Sequence, residues 1–243
     1  KAIKEITSRG GWVVRMGDDT MLRLPNMDRV VDYPFSKYKN DLNDIILIKN
    51  CYFYLGVQSG ILDVANLFSK NVLITNMIDW SGSGLQGEKS RGILKHWYSK
   101  KEKKYVSFEW LFKNRVGFIT EEYAIWKNYS EASEWEDIHG FSASLDDYTL
   151  FENSEDEIKD AVVEYLDVVN DNYAPSSLQF LFSMYRQKCM KDVLFGPDIY
   201  MFNSNKRNLI NNNFFALRTE LSNGLISNCF LSKNWKHNTH NSD

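Results

Sequence analysis

The sequence predicts an α/β fold, in which a Rossmann-like parallel sheet with flanking helices is followed by a C-terminal helical extension. Short apolar segments alternate with helical segments through the first 76 residues. The connections between them are only a few residues long, as in parallel sheets built from strand, helix and strand units. Polar or glycine residues stand directly after several of the apolar segments. Ligands of such sheets bind at the carboxyl ends of the strands, so these residues form the candidate site.

The composition is that of a globular protein, and it argues against several classes. The 243 residues carry a formal net charge of −3, without the basic excess of a protein that binds nucleic acid. No apolar run reaches the length needed to cross a bilayer. The three cysteines, Cys51, Cys189 and Cys229, are too far apart for a disulfide framework or a zinc site, which favours a reducing cytoplasm.

The domain organisation is predicted from a change in composition near Tyr173. We predict a Rossmann-like domain over residues 1–170 and a helical extension with a tail over residues 171–243. The opening residues, KAIKEITSRGG, are typical of the last turns of a helix that ends at two glycines. We therefore expect an upstream region in the parent protein.

The first predicted strand is Trp12–Arg15, and Gly17 and Asp18 stand in its polar exit loop. A guanidinium at the end of a strand can reach a phosphate, and a glycine lets a ligand approach the backbone closely. An ion pair between Arg15 and Asp18 that braces the loop is the alternative interpretation. The sequence leaves both open.

A second strand is predicted at Asp28–Asp32, so that Asp32 and Tyr33 again stand at a strand exit. The helix predicted at Asn40–Lys49 has Asp44 in its first turn. Acidic residues are favourable there because of the helix dipole, so a solvated carboxylate is the alternative to a ligand contact for Asp44.

The segment Cys51–Val57 has no polar interruption and predicts a strand buried on both faces, around which the others are arranged. Ser59 and Gly60 then form a tight turn before Ile61–Phe68, whose apolar residues have helical spacing. Backbone N–H groups at the start of a helix, with no side chain on Gly60, suit a diphosphate. The alternative is a plain connection in which Ser59 only caps the helix.

A further buried strand is predicted at Asn71–Asn76 and ends in Asn76. Lys95 and His96 follow a long loop rich in glycine and serine, where they either meet a phosphate or sugar or form an ordinary surface pair. We expect four strands to be neighbours in one parallel sheet: Trp12–Arg15, Val30–Asp32, Tyr52–Val57 and Val72–Thr75.

Acidic residues at Glu155–Glu157 are explained by a helix start, because Ser154 and Glu157 have the spacing of a capping box. Elsewhere neither histidines, cysteines nor paired acids fall at ligand spacing, and no Asp-x-Asp motif follows a strand. We therefore predict no metal and no cofactor.

Taken together, these pieces resemble a family of bacterial glycosyltransferases of surface-polysaccharide assembly, such as capsule or O-antigen biosynthesis. The resemblance covers roughly residues 1–170 and rests on GGWVVRMGD (10–18), VDY (31–33), NDLNDIILIKNCYFYLGVQSG (40–60), VLITN (72–76), ILK (93–95), SFEWLF (107–112) and NSEDEI (153–158). It implies the two-lobed GT-B architecture, with this chain as the C-terminal lobe that binds the nucleotide-sugar. The upstream lobe, which often supplies the catalytic base, has no counterpart here, so the base is unassigned.

The resemblance also implies roles for individual residues. Gly56, Ser59 and Gly60 would hold the donor diphosphate, and Arg15, Gly17 and Asp18 would line the same cleft. Asp32, Tyr33 and Asp44 would lie near the nucleoside, and Asn76 and Lys95 nearer the sugar. Related fucosyltransferases end the first strand with two adjacent arginines, whereas Met16 follows Arg15 here, so GDP-fucose is not implied.

The implied activity is the transfer of a sugar from a nucleotide-sugar to a hydroxyl of a glycan or lipid-linked glycan. It places the protein in the cytoplasm, with peripheral association at the inner face of the membrane as an open alternative. A different class remains open as well, namely a catalytically silent module that binds a nucleotide or sugar. The third alternative is a purely structural Rossmann-like scaffold, for which no nucleotide affinity is expected.

Overall fold

The computed structural model describes residues 1–78, 80, 85–114, 148–195 and 223–236. Its helices are α1 (Ala2–Ser8), α2 (Asp41–Asn50), α3 (Gly60–Leu67), α4 (Phe108–Lys113), α5 (Glu155–Val169), α6 (Ser177–Phe195) and α7 (Asn228–Asn234). Its strands are β1 (Val13–Arg15), β2 (Val30–Asp32), β3 (Tyr54–Gly56), β4 (Val72–Met77), β5 (Arg91–Leu94), β6 (His96–Ser99), β7 (Lys104–Tyr105), β8 (Tyr148–Phe151) and β9 (Leu225–Ile226).

The main sheet is parallel, with the strand order β3, β4, β5, β9. Strand β4 contacts α3 and α5, and β9 contacts α6, so helices flank the sheet. This is a mixed α/β arrangement compatible with a Rossmann-like fold, as the alternation of strands and helices predicts. A second parallel sheet holds only β1 and β2, and an antiparallel sheet has the order β7, β6, β8.

The core lies on β4 and β5, whose side chains are almost all buried. Helix α5 contacts both strands, and its buried residues recur at helical spacing: Ala161, Val162, Tyr165, Val168 and Val169. This spacing forms one apolar stripe, which is the pattern that holds a helix against a sheet. Phe182 of α6 and Phe230 and Leu231 of α7 complete the core from the C-terminal part of the chain.

The predicted helices in the first 170 residues are confirmed with small changes at their ends. Helix α1 stops before Gly10, whose φ of +89° lies in the left-handed region that favours glycine, and Gly10 N–H bonds to Thr7 O. Helix α2 begins after Asn40, whose side chain accepts a hydrogen bond from Asn43 N–H. Helix α5 begins with the predicted capping box of Ser154 and Glu157.

The prediction that four strands share one sheet is wrong. Hydrogen bonds join β1 to β2 and β3 to β4, but the two pairs belong to separate sheets. The prediction that Cys51–Val57 is a central strand buried on both faces is also wrong. Its regular part is only Tyr54–Gly56, at the end of the strand order, and the side chains of Tyr52 and Val57 on either side are exposed. The apolar run therefore predicts that a strand forms here, but it does not predict the position of that strand in the sheet.

The part predicted as a helical extension also contributes a strand. Leu225 and Ile226 form β9, which pairs with Arg91 and Gly92 of β5 in the main sheet. Helix α6 lies in this part, in agreement with the predicted helical extension. Residues 196–222 and 237–243, where the predicted tail falls, lie outside the described residues.

Helix α2 is held at its polar start rather than by its apolar side. Ile48 is its only buried residue, whereas Leu42, Ile45 and Ile46 are 67%, 45% and 44% exposed. None of the helices in the described part of the chain is long and apolar enough to pass through a bilayer.

Candidate functional site

The carboxyl ends of β3, β4 and β5 meet at one edge of the main sheet, because these strands are parallel neighbours. The hydroxyl of Thr75 donates to Gly56 O at 3.3 Å, and Lys95 N–H donates to Met77 O at 2.7 Å. The structure therefore brings the ends of these strands together, and with them a subset of the predicted site residues: Gly56, Ser59, Gly60, Asn76 and Lys95.

The start of α3 lies at this edge without a side-chain cap. Ser59 occupies the N-cap position in an extended conformation, but its hydroxyl accepts no capping hydrogen bond. Burial raises the pKa of Tyr54, and a hydrogen bond with Ser59 lowers it by less, so this phenol stays neutral. Ser59 therefore occupies the N-cap position without capping through its side chain, and a plain connection at this turn stays an alternative to an anion site.

The two glycines of this turn have different reasons to be glycine. A Cβ on Gly56 would lie 2.2 Å from the hydroxyl of Tyr54, so a side chain at this position would have to displace the Tyr54 ring. A Cβ on Gly60 would meet no atom of the described residues within 4 Å, so the position is open on their side. Because the first N–H groups of a helix have no partner within the helix, the start of α3 can accept an anion here.

Asn76, the next-to-last residue of β4, lies in the left-handed region, with a φ of +53°. Its N–H donates to Asn153 Oδ1 at 2.7 Å, and its own Oδ1 accepts from Asn153 N–H at 2.6 Å. The side-chain oxygen of Asn76 is therefore used within the protein. Its amide nitrogen forms no hydrogen bond to the described residues and can contact a ligand.

Lys95 and His96 are not a surface pair. The side chain of Lys95 is 22% exposed, and its Nζ lies 3.7 Å from a carboxylate oxygen of Glu152, which is 73% exposed. His96 is fully buried, and its Nε2 lies 2.8 Å from Glu157 Oε1. Burial acts to raise the pKa of Glu157, but the hydrogen bonds from His96 and Ser154 lower it by more.

Arg15 forms its ion pair with Asp32 rather than with Asp18. Its Nε donates to Asp32 Oδ1 at 2.6 Å and its Nη1 to Leu22 O at 2.7 Å. The second oxygen of Asp32 accepts from Leu24 N–H at 2.9 Å. The pair therefore joins β1 and β2 to the loop between them.

Asp18 and Gly17 shape the turn that follows β1. Asp18 Oδ1 accepts hydrogen bonds from the N–H and the hydroxyl of Thr20, which lower the pKa of this carboxyl. Gly17 has a φ of +141°, and a Cβ there would lie 2.1 Å from Met21 Sδ. Since no hydrogen bond of a sheet joins β1 to the main sheet, strand pairing does not bring these residues to the start of α3.

Tyr33 and Asp44 brace the start of α2. Tyr33 is only 4% exposed, and its hydroxyl accepts from Asn40 N–H at 3.2 Å. Asp44 forms a close ion pair with Lys39. Burial acts to raise the pKa of Asp44, but hydrogen bonds from Lys39 and Tyr33 lower it by more. Asp44 is therefore not an ordinary solvated carboxylate, and the ring of Tyr33 presents no open face to a nucleoside.

The site also includes residues that sequence reasoning did not assign to it, above all Asn153 and Glu157. The capping-box pattern located Glu157 at the start of a helix, but no local pattern indicates that His96 is its partner. Asn153 and Asn76 lie 77 residues apart in the chain, so only the tertiary structure reveals their pairing.

Within the described ranges, no group of three or more histidines, cysteines or acids could hold a metal ion. Comparison with protein-family models, with curated proteins and with solved structures found no match to this chain. An open helix start, a lysine and an asparagine amide at one edge of a parallel sheet suit an anion that carries hydroxyl groups.

Proposed function

We propose that this chain is the donor-binding part of a glycosyltransferase, corresponding to the C-terminal lobe of a GT-B architecture. It binds a nucleotide-sugar and serves the transfer of the sugar to a glycan or lipid-linked glycan hydroxyl in surface-polysaccharide assembly. The observation that carries the proposal is the start of α3, which has no side-chain cap and opens onto free space at Gly60. The resemblance of the sequence motifs to glycosyltransferases is the reason for proposing a nucleotide-sugar as the ligand.

The chemistry needs a group that stabilises the leaving diphosphate as the acceptor hydroxyl attacks the anomeric carbon. At this edge the positive end of the α3 dipole and the ammonium of Lys95 stabilise the leaving diphosphate, and no metal ion is required. The side-chain amide nitrogen of Asn76, near the end of β4, can donate a hydrogen bond to a sugar hydroxyl. Asp63, in the first turn of α3, places one negative charge near the same end and limits the affinity for anions.

The replacement Gly60→Val tests the proposal. Because the position opens onto free space, the variant should fold, while the valine side chain blocks the helix start. A charge-assisted contact is worth about 1.5–3 kcal/mol, so affinity for UDP, GDP or dTDP should fall roughly ten- to a hundredfold. Affinity for the corresponding nucleoside should not change. Calorimetric titration with each nucleotide measures both.

Asp41→Val is the matched control, because Asp41 is the exposed first residue of α2, a helix whose start is capped by the Asn40 side chain. It places the same β-branched residue at the start of a different helix and should leave nucleotide affinity unchanged. A folded Gly60→Val protein that binds nucleoside diphosphates as the parent does contradicts the proposal. Nucleotide binding that survives EDTA supports metal independence, whereas binding without transfer to any acceptor, with the upstream region present, favours a silent binding module.

A further inference from the structure

The segment from Glu152 to Glu157 contacts three consecutive residues at the junction of β5 and β6. Asn153 Nδ2 donates to Leu94 O at 2.7 Å. Glu152 lies 3.7 Å from the ammonium of Lys95, and Glu157 lies 2.8 Å from the imidazole of His96. The residues on both sides of Lys95 are therefore held by one short segment, Leu94 through its carbonyl and His96 through its imidazole.

Asn153 joins this junction to the end of the neighbouring strand. Besides its bond to Leu94, it exchanges two hydrogen bonds with Asn76, at 2.7 and 2.6 Å. Asn153 is 7% exposed, so water does not readily replace these bonds. Its side-chain oxygen and side-chain nitrogen each bond a different strand end, which is a task that aspartate or alanine cannot perform completely.

Asn76 depends on this contact for its conformation. A non-glycine residue at a φ of +53° is strained, and it persists where its surroundings hold it. Asn153 bonds both the N–H and the side-chain oxygen of Asn76, so it fixes the backbone and the rotamer together. The Asn76 amide nitrogen is thereby directed while its oxygen is occupied.

We propose that Asn153 is a positioning residue of the donor site, which acts through Asn76 and Lys95 without touching the donor itself. This inference rests on the proposed function, because it assumes that Asn76 and Lys95 contact the nucleotide-sugar. The new element is that Asn153, which precedes the N-cap of α5 and lies outside the main sheet, sets the positions of Asn76 and Lys95.

A double-mutant cycle tests the proposal, with affinity for a nucleoside diphosphate as the measurement. Asn153→Ala should weaken binding of the diphosphate about tenfold and leave binding of the nucleoside unchanged. The loss of affinity in the Asn153→Ala, Lys95→Met double variant should be smaller than the product of the two single losses, by a factor of at least about three. Asn153→Ser is neutral but too short to bond Asn76 N–H and Leu94 O together, so its effect should be intermediate.

Asn170→Ala is the matched control at the other end of α5, where Asn170 Nδ2 donates to Leu166 O. It should lower stability without changing nucleotide affinity. The positioning role is overturned if the double variant loses affinity by the full product of the two single losses. It is also overturned if Asn153 variants fold and bind the nucleoside diphosphate as the parent does. If Asn153→Ala does not fold, Asn153→Ser decides.

Hydrogen exchange separates a failure of this inference from a failure of the proposed function. Asn153→Ala should speed exchange at the amides of Asn76 and Lys95, which bond Asn153 Oδ1 and Met77 O, whether or not a nucleotide is present. A parent protein that binds no nucleoside diphosphate, together with faster exchange in the variant, contradicts the proposed function and leaves the positioning contact standing. Unchanged exchange at both amides contradicts the positioning role itself.

Discussion

At the scale of single residues, the predicted site residues divide by what already occupies their side chains. Arg15, Asp32 and Asp18 are engaged with partners in their own loop. At the edge of the main sheet, by contrast, no described atom lies near a Cβ built on Gly60, and among the described residues Lys95 is paired loosely, with Glu152. Substitutions in the first group should therefore act on stability, and those in the second on ligand binding.

Arg15→Ala should lower the free energy of unfolding by about 1.5–3 kcal/mol, since charge-assisted hydrogen bonds are lost and Asp32 keeps its charge without its cation. Urea unfolding followed by circular dichroism measures the change. Lys104→Ala, which breaks the exposed pair with Glu102, is the control and should cost less than about 1 kcal/mol. An Arg15→Ala protein as stable as the parent contradicts this structural role.

Glu152→Gln should strengthen binding of a nucleoside diphosphate about two- to fivefold. Glu152 competes with an anionic ligand for the ammonium of Lys95, but the pair is long and exposed, so the competition is weak. The gain should disappear in a Lys95→Met background, where nothing is left to compete for. Weaker binding by Glu152→Gln indicates instead that Glu152 itself helps to hold the ligand.

At the scale of elements, local signals predicted how helices begin but not what they pack against. The Ser154 and Glu157 spacing fixed the start of α5, because a capping box needs only residues close together in the chain. The second partner of Glu157, His96, lies on a strand 61 residues earlier, and no periodicity indicates that contact. Likewise, an apolar run predicted β3, while its place at the end of the strand order depends on the other strands.

The start of α5 should make stability depend on pH in the acid range. Glu157 has a lowered pKa in the folded protein, because hydrogen bonds from His96 and Ser154 outweigh the effect of burial. A carboxyl of this kind contributes stability above its unfolded pKa, and the contribution is lost as pH falls through the folded value. Stability should therefore decline as pH falls below about 4.3, the ordinary value for glutamate.

Glu157→Gln should flatten part of this decline, and urea unfolding at a series of pH values measures it. The control Glu109→Gln also removes a carboxyl whose pKa is lowered, mainly by its hydrogen bond with Lys113, but its side chain is 31% exposed. It should change the pH dependence less. A Glu157→Gln protein with the same acid decline as the parent shows that other carboxylates dominate.

At the scale of the whole molecule, the main sheet needs the C-terminal part of the chain. The fold class was predictable from residues 1–76, where strands and helices alternate, but β9 is too short to give a sequence signal. Gln179 Nε2 donates to Ile226 O at 2.8 Å, and the buried Arg186 donates to Gly224 O at 2.7 Å. Burial lowers the pKa of Arg186 to about 10, so it remains a cation that needs this carbonyl.

A chain that ends at residue 222 should not fold cooperatively. It would lose β9 and α7, together with the buried side chains of Ile226, Phe230 and Leu231. Each such side chain is worth about 1.5–3 kcal/mol, against a total stability of about 5–15 kcal/mol for a typical domain. A chain that ends at residue 236 keeps every described contact and is the control. Thermal unfolding distinguishes the two, and a sharp transition in the shorter chain contradicts the prediction.

The pairing of Arg91 with Leu225 also has a consequence for synthesis on the ribosome. Strands β3, β4 and β5 emerge long before β9, so during translation the growing sheet has an open edge at β5 with its backbone groups unpaired. Such an edge, beside apolar side chains that α6 and α7 have yet to cover, is prone to pair with other chains. This edge of β5 can close through β9 only after residues 223–236 have left the exit tunnel.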